Sequence, residues 1–471
     1  MKRRIIAALM AACLLMLLLC GCSGAKIKSP TELMRPPLTS SVNSDLKSAF
    51  LSAVTGKGKA SSSASVTLIP PLSGDYRSAF VLHDIDNDGE DEALVFYKLE
   101  NEPSKGHMNV LDFVDDAWTS IADFSGSGTG VNFVRFVQMT SDGCPVILVS
   151  QSIYENDSSK ILSAYVCTAG DNGINVKNVC NEVYSDMENI DVDSDGHLDV
   201  FIIQQDFTNI NAPRSTARAF RMTDAGAMEE FASAKLDGGI SQYCSVQTEK
   251  VTPTSPLRIY VDAIKGENQA ITEVIYWDWV RKAFVTPMFS VDTQSNMSSR
   301  RDELLASQDY DGDGVIEIPS QRLLPASRRY TSPKNLYEQM NITGWIEIQS
   351  DSDYEITDTL VNSQDSYIID IAQLRRVMSE FTVYAYDSTK TWVFKEYSSK
   401  YESVGEDLFA IVSTTKENAD SLGIKQEDYL IEDDGNVVYF EARDKGTLSG
   451  ITSQSIKPCI KIFKVKELIS K

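Results

Sequence analysis

Three short stretches of this chain alternate carboxylates with other residues, turn at a glycine, and then become apolar. They are "DIDNDGEDEALVFY" from Asp84, "DVDSDGHLDVFII" from Asp191 and "DYDGDGVIEIP" from Asp309, each reading D-x-D-x-D-G-x-x-[DE]. Four carboxylates in one small loop repel one another strongly unless a cation lies among them. Calcium takes a dense shell of oxygen donors at about 2.3–2.6 Å, from positions 1, 3 and 5, a backbone carbonyl at 7 and a later acid. On that template the first loop offers Asp84, Asp86, Asp88, the Glu90 carbonyl and Glu92. The second offers Asp191, Asp193, Asp195, the His197 carbonyl and Asp199, and the third Asp309, Asp311, Asp313, the Val315 carbonyl and Glu317. Gly89, Gly196 and Gly314 stand where the chain must turn sharply around the ion, a conformation open to glycine without steric cost.

These are not EF-hands. An EF-hand needs a bidentate acid at its twelfth position, where this chain has Val95, Ile202 and Ser320. It also needs flanking helices, whereas "ALVFY", "VFII" and "IEI" read as short buried strands. A single solvated acidic turn needs no metal. Three in the same register argue for calcium.

The loops must be positioned by a repeated element. Gly89 and Gly143 are 54 residues apart, Gly143 and Gly196 are 53 apart, and Gly314 follows after 118, about two further units. Around Gly143, "TSDGCPVILVSQ" keeps the turn and the strand but only one carboxylate, Asp142, so no ion is expected there. The remaining unit falls near "VTPTSPLRIYVDA" (251–263), where the acids are gone and the strand survives. Hairpin-like stretches keep the same beat, with turns at Asp116, Asn172, Ala225 and Asp278. A period of about 50 residues with several short strands per unit is the signature of a β-propeller, whose blades bury their faces only by stacking.

The acidic loops at 84, 191 and 309 resemble those of FG-GAP/VCBS repeats, the calcium-loop propellers that include the integrin α-chain head. The resemblance covers roughly residues 70–330, and the units between the acidic loops depart from it. It implies a propeller and calcium coordination by the residues named above. It implies no particular ligand, because such propellers serve as adhesion heads, binding platforms and enzyme accessories.

The expected fold is mainly β: an irregular β-propeller of roughly six or seven blades over residues 65–375, then a small α+β domain over 376–471. The competing reading carries further blades toward the C-terminus. Residues 1–21 read as a lipoprotein signal peptide, with a basic "MKRR", an apolar core and "LCGC" placing Cys22 as the lipidated residue. Residues 22–64 read as a tether holding one short amphipathic helix, capped by Ser44 and ending before Gly56. The mature protein is then expected on the outer face of a bacterial cell membrane, held by its lipid and not spanning the bilayer.

Composition narrows the function. A net charge of −23 leaves no basic patch for nucleic acid. After Cys13, Cys20 and Cys22, the remaining cysteines are Cys144, Cys167, Cys180, Cys244 and Cys459. They suit buried thiols, with a Cys167–Cys180 bridge the alternative. Only His83, His107 and His197 exist, and no G-x-S-x-G, HExxH, P-loop or G-x-G-x-x-G motif is present. "YWDWV" supplies the best candidate ligand surface in Tyr276, Trp277 and Trp279, although packing between sheets is the favoured reading of those aromatics. The leading expectation is a calcium-stabilised surface module that binds a protein or glycan. The alternatives are a carbohydrate-active enzyme with paired carboxylates and a purely structural envelope protein.

Overall fold

In the computed structural model of the 471-residue chain, the described residues are 41–56, 65–141, 143–153, 159–170, 173–209, 212–331, 337–349, 354–443 and 450–468. Cys22, Asp142, Asn172 and the signal segment lie outside them.

The protein is mainly β, built from successive antiparallel sheets. The chain enters through helix α1 (Ser41–Thr55). The first sheet holds β1 (Val66–Leu68), β2 (Phe80–His83), β3 (Glu92–Leu99), β4 (His107–Val114) and β5 (Ala117–Ser125). Its β4–β5 hairpin turns at Asp115 and Asp116, both with positive φ, at the place the sequence marks. The second sheet is the meander β6 (Gly130–Val137), β7 (Val146–Ser152), β8 (Lys160–Gly170) and β9 (Gly173–Tyr184). The third is β10 (Asp186–Ile190), β11 (Asp199–Asp206), β12 (Arg214–Met222) and β13 (Met228–Leu236). The fourth is β14 (Ile240–Glu249), β15 (Arg258–Lys265), β16 (Gln269–Asp278) and β17 (Ala283–Val285).

The chain then passes through β18 (Ile318–Leu323), β19 (Arg328–Tyr330), β20 (Asn341–Ile348), β21 (Tyr354–Asn362) and β22 (Tyr367–Asp370). Helix α2 (Ile371–Val377) follows, N-capped by the Asp370 side chain. Next come β23 (Phe381–Tyr386), β24 (Thr391–Ser398), β25 (Ser403–Thr415), helix α3 (Lys416–Ser421), β26 (Tyr429–Asp433) and β27 (Asn436–Ala442). Helix α4 (Ser453–Ile456) and β28 (Ile460–Ile462) end the described chain. The fifth sheet has the order β18-β20-β21-β22-β28 and the sixth β19-β23-β24-β25-β27-β26. Two pairings therefore cross the boundary expected near residue 376: β28 joins β22, and β19 runs parallel to β23.

The sheets stack face to face in chain order because their central strands are apolar on both faces. In β7, Ile147 and Val149 pack toward the first sheet while Val146 and Leu148 pack toward the third. In β11, Val200 and Ile202 face the second sheet while Phe201 and Ile203 face the fourth. Tyr260 and Val274 carry the fourth sheet onto Ile318 and Ile346 of the fifth. The fifth and sixth sheets share one large core around Leu360, Ile369, Phe394 and Phe409. Such period-2 alternation between two buried faces is what a stacked strand requires.

The two ends of the stack are covered by helices. Leu46, Phe50 and Val54 of α1 pack on Ala93, Val95, Tyr97 and Leu111, the face of the first sheet turned away from the second. At the other end, Ala419 of α3 packs on Val393, Val412 and Tyr439 of the sixth sheet. Among the described residues neither apolar cluster contains a side chain from the opposite end. No helix among them is long and apolar enough to cross a membrane.

Candidate metal centres

Each acidic loop leads directly into a strand of one sheet. Residues 84–91 link β2 to β3 and residues 191–198 link β10 to β11. Residues 309–316 run from the Gln308–Glu317 bridge into β18. The corresponding loops of the second and fourth sheets, around Gly143 and at 250–257, are the acid-poor units read from the spacing.

The three loops share one internal network. The first aspartate accepts two backbone N–H groups with its two oxygens: Asp88 at 3.2 Å and Gly89 at 3.0 Å for Asp84, Asp195 at 3.0 Å and Gly196 at 3.1 Å for Asp191. Asp309 does the same for Gly312 and Gly314, at 2.6 and 2.9 Å. The fifth-position acids accept the N–H two residues on, so that Asp88, Asp195 and Asp313 hold Glu90, His197 and Val315, each at 2.8 Å. The ninth-position acid is buried and accepts the N–H of position 2. Glu92 takes Ile85, Asp199 takes Val192 and Glu317 takes Tyr310, all at 2.8–2.9 Å.

This winding brings carboxylates together. Oxygens of Asp84, Asp86 and Glu92 lie within 4.8 Å of one another, as do those of Asp191, Asp193 and Asp199, and those of Asp309, Asp311 and Asp313. Asp88, Asp195 and Glu317 stand outside these tight triples. Two ligands on opposite sides of a calcium ion are about 4.6–5.2 Å apart, so all three groups fit around one hard cation. The donors are all carboxylate oxygens, without sulfur or imidazole, which suits an oxygen-seeking divalent ion. Burial is the main force pushing the Glu92 and Asp199 carboxyls up to about 7 and Glu317 up to about 8. The one backbone N–H that each accepts offsets this burial only in part, and the neighbouring carboxylates add to it.

Two features escaped the sequence. Position 4 of each loop also takes a left-handed conformation, at Asn87 (φ 63°), Ser194 (φ 58°) and Gly312 (φ 89°). Asn and Gly tolerate that region, and their presence at two of the three positions was the available signal. The second is that the acid-poor loops hold their neighbours. Cys144 donates its thiol to the Asp86 carbonyl at 3.3 Å, and Asn87 donates to the Gly143 carbonyl at 3.3 Å. Lys250 donates to Ser194 at 3.3 Å, and Glu249 accepts the Ile316 N–H at 2.5 Å.

The aromatic stretch divides. Tyr276 and Trp277 are buried, with Trp277 edge-on to Phe231 and Phe284 in the core between the third and fourth sheets. Trp279 is exposed and donates its indole N–H to the Asp193 carbonyl at 2.8 Å. All five described cysteines are free thiols. Burial raises Cys167 to about 12 and Cys180 to about 11, which keeps both protonated and inert.

No protein-family model matches this sequence. No curated protein matches it. Among solved structures it is similar to one described as a hypothetical selenium-binding protein from Sulfolobus tokodaii, at 9% identity and a TM-score of 0.25. That match covers 45% of this chain and about half, 54%, of the other.

Proposed function

We propose that this protein is a surface-anchored, calcium-stabilised β-propeller-type lipoprotein that acts as a binding or adhesion module for a protein or glycan. The observation that carries it is the threefold recurrence of one loop: the same acids, the same backbone bonds and a carboxylate triple at metal-binding distance each time. In this reading the stacked sheets are blades of FG-GAP/VCBS type, and each ion fixes the loop entering one strand of a blade. Helices α1 and α3 pack on the outward faces of the first and sixth sheets. Cys22 carries the lipid that holds the module to the outer face of the membrane. Metal binding then supplies part of the folding free energy, because the unfolded chain has no preformed site.

The test uses the mature chain, immobilised and exposed to envelope extracts with calcium or with chelator. Specific capture in calcium and its loss in chelator support the reading. Absence of calcium binding at millimolar concentration, or capture indifferent to chelator, overturns it. Cys22→Ala should move the protein out of the membrane fraction.

A further inference from the structure

The outer face of the sixth sheet carries a groove that the metal loops do not touch. Strand register builds it. Tyr386 pairs with Thr391, Thr391 with Val412, and Val412 with Tyr439, so these four side chains share one face across β23, β24, β25 and β27. The opposite face of the same strands, with Val383, Phe394 and Phe409, is sealed in the core. The four strands together span about 14 Å, and α3 covers part of that face, leaving the groove beside it. Its volume is about 540 Å³, within the range of small-ligand sites.

The walls differ from the floor. On one side Tyr386 is stacked on Tyr330, ring centroids 5.0 Å apart and planes within 9°. Tyr330 lies on β19, on the far side of β23 from the groove, so the stack braces the Tyr386 side chain, which stays 36% exposed. The opposite wall is α3 and the turn after it, with Asn418 and Leu422, the latter 60% exposed. Asn418 donates its amide to Thr414 at 2.7 Å, which leaves its carbonyl oxygen as an acceptor. The floor is Thr391, Val393 and Val412.

Charge in the groove is already balanced. Asp407 is paired with Lys395, and Glu441 with Arg443 at 3.1 Å. An ionic ligand would have to displace these partners, whereas hydroxyls can use the remaining lone pairs of the carboxylates. A peptide in extended form would need an open strand edge for its backbone. This groove runs over the face of a sheet and offers none.

From this arrangement we infer that the groove binds a neutral oligosaccharide, with a pyranose ring stacked on Tyr386 and its hydroxyls held by Asn418, Asp407 and Glu441. An aromatic platform beside fixed polar groups is the complement of a ring with apolar C–H faces and hydroxyl edges. The inference deepens the binding role proposed above and gives it a site and a ligand class.

The experiment is calorimetric titration of the mature chain with cellohexaose, xylohexaose, mannohexaose, maltohexaose and chitohexaose. At least one should bind with a millimolar or tighter Kd. Tyr386→Ala should weaken that binding tenfold or more, and Tyr386→Phe should stay within about twofold. Leu422→Arg, at a side chain that already lies in solvent, should block the groove with the melting temperature unchanged. No binding by any of the five, or binding that Tyr386→Ala and Leu422→Arg leave intact, would overturn the inference. If hexasaccharides fail while envelope capture persists, the groove falls and the binding module stands. If a hexasaccharide binds the groove while capture fails, the adhesion role falls and the groove stands.

Discussion

Asp86→Ala should cost stability only when calcium is present. Asp86 accepts one loop bond, from the Asp88 N–H at 3.2 Å, and that N–H also reaches Asp84 at 3.2 Å, so the substitution orphans no donor. Carboxylate oxygens up to 4.8 Å apart repel by about 1 kcal/mol in water and about 3.5 kcal/mol at an effective dielectric of 20. Without calcium the substitution therefore relieves repulsion, and the variant should melt at or slightly above the wild-type temperature. With calcium the sign reverses. A site that holds the ion at one hundredth of its free concentration stabilises the fold by about 2.7 kcal/mol. Unfolding entropy of about 2.1 cal/mol/K per residue, over roughly 400 folded residues, converts that into a loss of about 3 °C. Scanning calorimetry of both proteins in millimolar calcium and in chelator reads all four values. Equal destabilisation in the two conditions would refute the metal argument, and so would a wild-type melt that ignores calcium.

Three further outcomes are expected. Burial pushes the Glu273 carboxyl up to about 7, against the Asp237 and Asn296 groups that hydrogen-bond it and the nearby Lys265. A folded pKa above the unfolded value means this contribution is fully present below about pH 4.3 and is lost as pH rises through 7. Glu273→Gln should therefore flatten the stability decline between pH 5 and 8 by on the order of 3 kcal/mol in urea titrations; an unchanged slope would count against it. Asp262 and Arg301 form a fully buried pair at 3.1 Å. Asp262→Ala strands the guanidinium and the Ser245, Thr272 and Ser307 donors and should cost about 3–5 kcal/mol by equilibrium unfolding, a loss below about 1 kcal/mol counting against it. Phe50→Ala removes the ring that meets Tyr97 at 5.2 Å and Phe80 at 5.9 Å under α1. It should cost about 3–5 kcal/mol, and a loss below 1 kcal/mol would show that α1 does not hold the end of the stack.

Local chemistry was legible in the sequence and distant pairing was not. The acidic loops, their glycine turns and the β4–β5 hairpin at Asp116 depend on neighbours a few residues away, and the structure has them where spacing puts them. The helix in the supposed tether was legible as a helix, although it begins at Ser41, so that Ser44 lies within it and is not its cap. Its purpose was hidden, because Leu46, Phe50 and Val54 announce an apolar face without saying what lies beneath it. Strand β3 held the complementary clue. Ala93, Val95 and Tyr97 are apolar alongside Leu94 and Phe96, so both faces had to be covered, and only one could belong to the next sheet. The pairing of Tyr367 with Ile462 and of Arg328 with Tyr384 joins segments far apart in the chain. No periodicity records such a partnership, which is why the C-terminal boundary read from sequence does not divide the sheets. Asp262 was a related case. A lone acid in "RIYVDAIK" demands a buried partner, but only the tertiary structure supplies Arg301.

The distribution of acidic loops has its own physical logic. Among the described residues, carboxylate triples occur in loops of the first, third and fifth sheets and not in those of the second and fourth. Packed sheets lie about 10 Å apart, close to the screening length of physiological salt. Acidic loops on adjacent sheets would therefore repel one another, whereas loops two sheets apart are about 20 Å away and largely screened. The intervening loops take the opposite role. Cys144 binds the Asp86 carbonyl, and Lys250 brings a cation to Ser194. Trp279, from the turn beyond β16, holds the Asp193 carbonyl. Both carbonyls belong to third-position aspartates whose side chains sit in the carboxylate triples. An ion that fixes the loop thus also fixes the atom on which the neighbouring sheet is hung. The acid-poor units are then working parts of the repeat, joining the first and second acidic loops to the sheets that follow them.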